Sequence, residues 1–139
     1  FTKCFIESVK LKNIKNENYP GLYHTNNKSN IVEAVLVENL NKNDLKRIKF
    51  FESYEYVIDT IWVIIDGKKN IVNYFRPIIK KEITNKAWSY TKWKKTHEKF
   101  DAECAYLWMD MYKNYSQPID VEQFWPDILA QAKKNLKKT

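Results

Sequence analysis

A β-hairpin near the middle of the chain constrains the fold more than any other feature. Val57 to Ile65 is rich in β-branched side chains, which favour an extended backbone. It ends in Asp66-Gly67, a dipeptide typical of two-residue hairpin turns, and a second apolar stretch follows from Ile71 to Ile78. Pro77 lacks a backbone N–H and is expected to stop the return strand. The sequence therefore predicts a pair of antiparallel strands here.

Two further strands are predicted before the hairpin. Cys4 to Lys12 has an alternating pattern that is interrupted at Glu7-Ser8, which indicates a bulge or bend. Ile31 to Val37 has apolar residues at both odd and even positions, so we expect a strand that is well buried. Between them lies Tyr19-Pro20-Gly21-Leu22-Tyr23. Pro fixes one backbone dihedral and Gly frees the next, which predicts a defined turn.

The segment from Leu45 to Tyr56 predicts a short helix that ends at Glu52-Ser53 and leads into the hairpin. Asn41 and Asn43 are both suitable N-caps, and Asp44 in the first turn suits the positive end of the helix dipole. Spacing of three residues predicts a buried apolar stripe made of Leu45, Ile48 and Phe51.

The C-terminal part of the chain predicts two helices. Lys80 to Lys86 is polar and is interpreted as the connection that leads to them. Ser89 or Thr91 starts a long helix that ends at Ser116-Gln117-Pro118, and Pro126 suits the first position of the second helix. Their apolar faces follow steps of three and four residues. These faces contain Trp93, His97, Phe100, Cys104, Leu107 and Met111 in the first helix, and Ile128, Leu129, Ala132 and Leu136 in the second.

Strands first, one inserted short helix and two terminal helices predict an α+β fold, with a small mixed twisted sheet or an open barrel. At 139 residues the chain is expected to be a single domain spanning residues 1–139. Residues 1–80 are assigned to the sheet and the short helix, and residues 88–139 to the C-terminal helices.

Composition narrows the function classes. The net charge is +7, but the lysines are scattered and only one group clusters, at the C-terminus: Lys133, Lys134, Lys137 and Lys138. Nucleic acid is therefore not expected as a partner. The longest apolar runs, such as Ile61 to Ile65, are too short to span a bilayer, so no membrane partner is expected. Cys4 and Cys104 form no disulfide framework and are interpreted as buried thiols in a reducing compartment, the cytoplasm.

Glu52 and Glu55, at the predicted helix end, are the candidate acid–base residues. They lie among four aromatic residues, which are Phe50, Phe51, Tyr54 and Tyr56. Apolar neighbours raise the pKa of a carboxyl toward the range that a general base needs. The alternative is a helix end with two solvated acids. His97 lies on an apolar stripe with no other His or Cys spaced to share a metal, so it is interpreted as a packing residue and no metal is expected.

Four segments form an ordered pattern of motifs. Tyr19-Pro20-Gly21-Leu22 is similar to Tyr-Pro-Gly/Ala-Leu, and Ile31 to Val37 is similar to a Val-x-Gly-x-Leu strand. Leu45-x-x-Ile48-Lys49-x-Phe51-Glu52-Ser53-x-Glu55-Tyr56 is similar to Leu-x-x-Leu-Asp-x-Phe-Glu-Gly-x-Glu-Tyr. Ala87 to His97, with Phe100, is similar to Trp-x-x-x-x-Trp-x-x-x-His-x-x-x-Phe. Over roughly residues 5 to 112 the chain thus resembles the gamma-glutamylcyclotransferase-like superfamily, above all its branch of gamma-glutamylamine cyclotransferases and plant avirulence-induced proteins.

The resemblance implies an activity and its residues. The glutamate of the Phe-Glu-Gly motif is catalytic in that family, and it corresponds to Glu52. The implied reaction releases pyroglutamate from a small-molecule gamma-glutamyl amide or amine, with Glu52 as general acid/base and with no metal or cofactor. Tyr56 is implied to orient the site. Substrate-lining roles are implied for Tyr19, Pro20, Gly21 and Leu22.

The chain also departs from the family pattern. Lys49 replaces the usual Asp, Ser53 replaces Gly, and Ile58 replaces a frequent Arg. The family's first strand ends in Tyr-Gly-Ser/Thr-Leu, which residues 1–18 do not contain, so an upstream segment or a partner chain is expected to complete the sheet. The alternative hypothesis is a catalytically inactive family member that acts as a binding or scaffold module, including one for an anionic partner.

Overall fold

The computed structural model describes residues 1–78 and 82–138. Within these residues the chain forms seven strands, four α-helices and three 3₁₀ turns. The strands are β1 (Thr2–Glu7), β2 (Val9–Ile14), β3 (Pro20–His24), β4 (Ile31–Leu36), β5 (Tyr56–Ile65), β6 (Lys68–Pro77) and β7 (Ile83–Ala87). The helices are α1 (Lys42–Glu52), α2 (Tyr90–Thr96), α3 (Glu98–Asp110) and α4 (Trp125–Lys137), and the 3₁₀ turns are Met111–Lys113, Pro118–Asp120 and Glu122–Phe124. The predicted α+β class is confirmed.

The chain divides into two compact units. The first unit comprises Phe1–Leu40 and Glu55–Ser89 and contains the seven described strands. The second unit comprises Asn41–Tyr54 and the residues from Tyr90 onward, and it contains the described helices. None of these helices combines the length and the apolar character needed to cross a bilayer. The single domain expected from chain length stays a prediction.

The first unit contains two antiparallel sheets. β4, β1, β5 and β6 form a four-stranded sheet in that order, and β3, β2 and β7 form a three-stranded one. The β5–β6 pairing runs from Tyr56 opposite Pro77 to Ile65 opposite Lys68, so the predicted hairpin is confirmed. The buried residues of the core of this unit are Cys4, Ile6, Val9 and Val63.

Ser8 divides the first predicted strand into β1 and β2. Its φ is 59°, a left-handed backbone conformation that residues other than Gly rarely adopt. β1 pairs with β4, whereas β2 pairs with β3 and β7. The predicted break at Glu7-Ser8 is therefore confirmed, and it takes the chain from the four-stranded sheet to the three-stranded one.

The prediction that the strand at Ile31 to Val37 is well buried is wrong. β4 lies at the edge of its sheet, and its burial alternates along the strand. Ile31 and Val35 are 55% and 61% exposed, whereas Val32, Ala34 and Leu36 pack against the core. An antiparallel sheet of this kind needs only one covered face, so apolar residues at both parities do not require burial on both sides.

The polar segment from Lys80 to Lys86 is not only a connection. Residues 79–81 lie outside the described residues, but Ile83–Ala87 forms β7 at the edge of the three-stranded sheet. Lys12 lies opposite Ala87 and Ile14 opposite Ile83 in this pairing, with a register irregularity between them. The strand was missed because an edge strand with polar residues has no apolar alternation to identify it.

In the second unit, Phe50 rather than Phe51 is the buried aromatic residue of α1. The Phe50 ring centroid lies 5.5 Å from that of Trp108 and 5.1 Å from that of Tyr112. Phe51 and Leu45, two of the three residues of the predicted stripe, are exposed, so that prediction is wrong for both. The cause is tertiary: α3 and the turn after it present their rings to the side of α1 that carries Phe50.

The long helix predicted from Ser89 or Thr91 is divided at His97 into α2 and α3. The φ of His97 is −125°, which departs from helical geometry, although its N–H still donates to the Trp93 carbonyl over 2.7 Å. Trp93 Nε1 donates to Asp101 Oδ2 over 2.7 Å and so connects the two helices. The buried residues of the core where α3 packs against α4 are Cys104, Ile128 and Ala132.

Candidate functional site

Local hydrogen bonds fix the start and the end of α1, the helix that carries Glu52. Asn41 Oδ1 accepts from the Asp44 N–H over 2.9 Å, and Asp44 Oδ2 accepts from the Asn41 N–H over 3.0 Å. This reciprocal capping box selects Asn41 from the two predicted caps. At the other end, the Ser53 N–H donates to the Lys49 carbonyl over 3.0 Å. The helix therefore ends at Glu52, as predicted.

Ser53, directly after Glu52, holds an unfavourable backbone conformation. Its φ is 64° and its ψ is −173°. Glycine accepts this backbone conformation, and residues with a Cβ rarely adopt it. This is the position where the resembling motif carries Gly. We expect Ser53→Gly to raise the free energy of unfolding by about 1 kcal/mol, since the strain it removes exceeds the added entropy of the unfolded chain.

Urea denaturation of the wild type, Ser53→Gly and Ser53→Ala tests this expectation. Ser53→Ala keeps the Cβ and loses only the hydroxyl, so it separates backbone strain from side-chain contacts. If the glycine variant is no more stable than the alanine variant, backbone strain at Ser53 does not limit stability.

The Glu52 side chain is half-buried at the C-terminal end of α1. Burial removes water from the carboxylate and raises the pKa of Glu52 above its ordinary value. The negative end of the helix dipole acts in the same direction. Among the described residues the carboxyl has no hydrogen-bond or ion-pair partner that would stabilise its charged form. A carboxyl in these surroundings can hold and release a proton closer to neutrality than an exposed glutamate.

The segment from Tyr19 to Tyr23 is not the predicted turn. The turn precedes it, at residues 15–16, where Asn16 has a φ of 64°, and Pro20–His24 forms β3. Pro20 is the first residue of that strand, a position that tolerates a missing N–H. A Cβ on Gly21 would lie 2.8 Å from Ile83 Cδ1. Gly21 therefore leaves room for the Ile83 side chain and does not form a turn.

A cavity of about 310 Å³ lies within the first unit. Four of the five residues that the resemblance assigns to the substrate are among its lining residues, namely Pro20, Gly21, Leu22 and Tyr56. Its other described lining residues are Leu11, His24, Tyr74, Phe75, Arg76, Pro77, Ile78 and Ile83. The lining is mainly apolar with a few polar groups, which is the usual composition of a small-molecule site.

Tyr19, the fifth of these residues, belongs to the same unit. The pKa of its phenol is raised, chiefly by burial and then by the neighbouring Tyr56, Glu17 and Glu55. The phenol therefore stays protonated across the physiological range, and it makes a side-chain hydrogen bond with Glu17.

Arg76 and Tyr74 line this cavity from β6 and were not predicted. Arg76 Nε donates to Asp59 Oδ2 over 2.8 Å across the β5–β6 pair. The pKa of Asp59 is lowered by the hydrogen bond from the Thr60 N–H and then by Arg76, so Asp59 stays ionised. The apolar stretch of β6 is visible in the sequence, but the convergence of Arg76 and Tyr74 with β3 depends on a strand arrangement that sequence does not display.

Comparisons with known proteins show a fold and no family. No family model matches the chain, and no curated protein matches it. The solution structure of At3g28950.1 from Arabidopsis thaliana is similar with a TM-score of 0.52 and 15% identity, covering 81% of this chain and 69% of that one. The solution structure of At5g39720.1 from the same plant has a TM-score of 0.49 and 18% identity, covering 81% and 76%. At such identities the likeness to At3g28950.1 shows the fold alone.

Proposed function

We propose that this protein is an enzyme of the gamma-glutamylcyclotransferase-like superfamily that releases pyroglutamate from a gamma-glutamyl amide or amine, with Glu52 as general acid/base. The observation that carries the proposal is the Glu52 carboxyl, which is half-buried and has a raised pKa. The ordered motifs support the assignment, since the glutamate of the resembling Phe-Glu-Gly motif corresponds to Glu52.

In the proposed reaction, the Glu52 carboxylate takes a proton from the α-ammonium group of the substrate. The free amine attacks the γ-carbonyl carbon of the same molecule and forms the N–C bond of a five-membered lactam. The bond between that carbon and the leaving nitrogen then breaks as Glu52 returns its proton to the leaving nitrogen. The ring nitrogen loses its remaining extra proton to solvent, which gives a neutral lactam and a neutral amine. The products are pyroglutamate and the released amine or amino acid. One carboxyl serves both transfers when its pKa lies near neutrality.

The proposal assigns substrate binding to the residues that the resemblance implies. These residues are Tyr19, Pro20, Gly21, Leu22 and Tyr56. The backbone and apolar groups of the first four suit a small substrate, and Tyr56 orients it. The proposed chemistry needs neither a metal nor a cofactor.

The cytoplasmic location stays a prediction, which rests on the two free cysteines, Cys4 and Cys104.

The test is to incubate the purified protein with a panel of gamma-glutamyl donors and to measure pyroglutamate by mass spectrometry. The panel contains gamma-glutamyl amino acids, gamma-glutamyl-ε-lysine and a gamma-glutamyl alkylamide. The matched controls are α-linked glutamyl isomers, which have a free γ-carboxylate and no γ-amide to cleave. We expect pyroglutamate and one equivalent of amine from at least one γ-linked donor and none from its α-linked isomer. Absence of pyroglutamate from every γ-linked donor would contradict the proposal and favour the alternative of a binding or scaffold module.

A further inference from the structure

The cavity of the first unit carries positive and neutral groups. Among the described residues that line it there is one arginine, Arg76, and one histidine, His24, and there is no aspartate or glutamate. The remaining polar side chains are the phenols of Tyr56 and Tyr74. A mainly apolar cavity whose described wall holds an arginine and no carboxylate favours a ligand that carries a negative group on a small organic body.

Arg76 has hydrogen-bonding capacity to offer such a group. Its Nε donates to Asp59 Oδ2 over 2.8 Å, and its Nη1 lies 3.5 Å from the Pro77 carbonyl oxygen. A guanidinium has five N–H groups, and these contacts occupy two of them. Within residues 1–78 and 82–138 the side chain has no other acceptor. The contact with Asp59 is made through one nitrogen only, so it orients the guanidinium and leaves the terminal nitrogens able to bind an oxyanion.

Tyr74 lies beside this pair. It is the direct cross-strand neighbour of Asp59, and this pair lies two residues along the hairpin from the pairing of Val57 with Arg76. Burial raises the pKa of Tyr74, the charge of Asp59 raises it further, and the charge of Arg76 lowers it, so both charged groups are close enough to act on the phenol. The net direction is upward, and Tyr74 therefore stays a neutral hydrogen-bond donor. An arginine and a phenol in the wall of one cavity can both donate hydrogen bonds to a carboxylate.

We infer that this cavity binds a small carboxylic acid, with Arg76 as the anchor of the carboxylate and Tyr74 as a second donor. The volume of about 310 Å³ lies at the low end of ligand cavities and suits a molecule of the size of an amino acid derivative. As a statement about binding, the inference stands on the cavity alone. The choice of ligand rests on the proposed function. Under that function, Arg76 binds a carboxylate of the gamma-glutamyl substrate and of the pyroglutamate product.

The test compares two probes of nearly equal shape. Pyroglutamate carries a carboxylate, and 2-pyrrolidinone is the same lactam ring without it. We expect pyroglutamate to shift the ¹⁵N–¹H signals of cavity residues such as Gly21 and Ile78 in a saturable way. We expect 2-pyrrolidinone to bind at least about tenfold more weakly, because it lacks the charged group that Arg76 would hydrogen-bond. Equal binding of the two probes, or absence of pyroglutamate binding, would overturn the inference.

Three variants separate an anchor from a merely structural ion pair. Arg76→Gln removes the cation, and Asp59→Asn keeps an acceptor for Arg76 Nε while removing the competing negative charge. We expect Arg76→Gln to weaken pyroglutamate binding at least about tenfold, Arg76→Lys to restore part of it, and Asp59→Asn to bind as tightly as the wild type or more tightly. If Asp59→Asn loses binding as Arg76→Gln does, the pair is structural and the anchor role is wrong.

These measurements need no turnover, so the inference and the proposed function can fail separately. Arg76-dependent binding of pyroglutamate by a protein that releases none from any donor would support the cavity and contradict the cyclotransferase. Turnover that is unaffected by Arg76→Gln, in KM as well as in kcat, would support the cyclotransferase and contradict the anchor.

Discussion

Glu52→Gln is expected to lower the rate of pyroglutamate release by about 10²–10⁴-fold, the usual contribution of a general acid/base. Glutamine has nearly the same volume as glutamate but cannot accept the proton of the substrate amine. The measurement is the initial rate on the best donor of the panel, at equal protein concentration. Glu55→Gln is the matched control: the same change three residues further along the chain should leave most of the rate. Normal turnover by Glu52→Gln would show that another group carries the proton.

The Glu52→Gln variant is also expected to keep its fold, and its stability gives an independent check. Folding raises the pKa of Glu52, so the folded state binds this proton more tightly than the unfolded state does. The wild type therefore loses stability as the pH rises from the ordinary glutamate pKa, about 4.3, through the raised one. Glu52→Gln lacks this loss. Urea denaturation at several pH values should show equal stability in acid and a gap in favour of the variant near neutrality.

Phe50→Ala is expected to cost about 3–5 kcal/mol of folding free energy, the largest stability effect that we predict. Phe50 is 2% exposed, and its ring contacts those of Trp108 and Tyr112. Its carbonyl also accepts the indole N–H of Trp108 over 3.2 Å, so the backbone of α1 depends on the same packing. Truncation of the ring leaves a cavity that these aromatic side chains fill only in part.

Phe51→Ala is the matched control, because it removes the same ring from the neighbouring position, where the side chain is 48% exposed. We expect it to cost no more than about 1 kcal/mol. Urea denaturation of both variants gives the two values. Comparable losses in both, or a larger loss in Phe51→Ala, would mean that α1 packs through the face predicted from its sequence.

Local signals explain what sequence could predict. The hairpin was recognisable because Asp-Gly is a typical dipeptide of two-residue turns, which require positive φ at both positions. Asp66 and Gly67 do adopt positive φ, 49° and 75°. The end of α1 at Glu52 and the break at Ser8 are likewise set by residues within a few positions. Glu52 could be proposed as an acid–base residue for the same reason, because residues close to it in the sequence determine that it lies at a helix end.

Tertiary contacts explain what sequence could not predict. Phe50 and Phe51 are identical side chains, and only the aromatic residues of a distant helix decide which one is buried. Gly21 was interpreted as a turn residue because its neighbour is Pro20, but it lies in a strand and leaves room for the side chain of Ile83, which is distant along the chain. Arg76 reaches the wall of the cavity through the register of β6, and no motif marks it.

The most direct test of the central claim is the titration of the Glu52 carboxyl itself. The protein is labelled with ¹³C at the glutamate side chains, the Glu52 signal is identified by its absence in Glu52→Gln, and its chemical shift is followed with pH. This measurement does not depend on which donor is the substrate. We expect a midpoint clearly above that of an exposed glutamate, about 4.3, because burial disfavours the charged form. A midpoint at or below that value would mean that Glu52 is an ordinary solvated acid at a helix end and would contradict its role as the proton carrier.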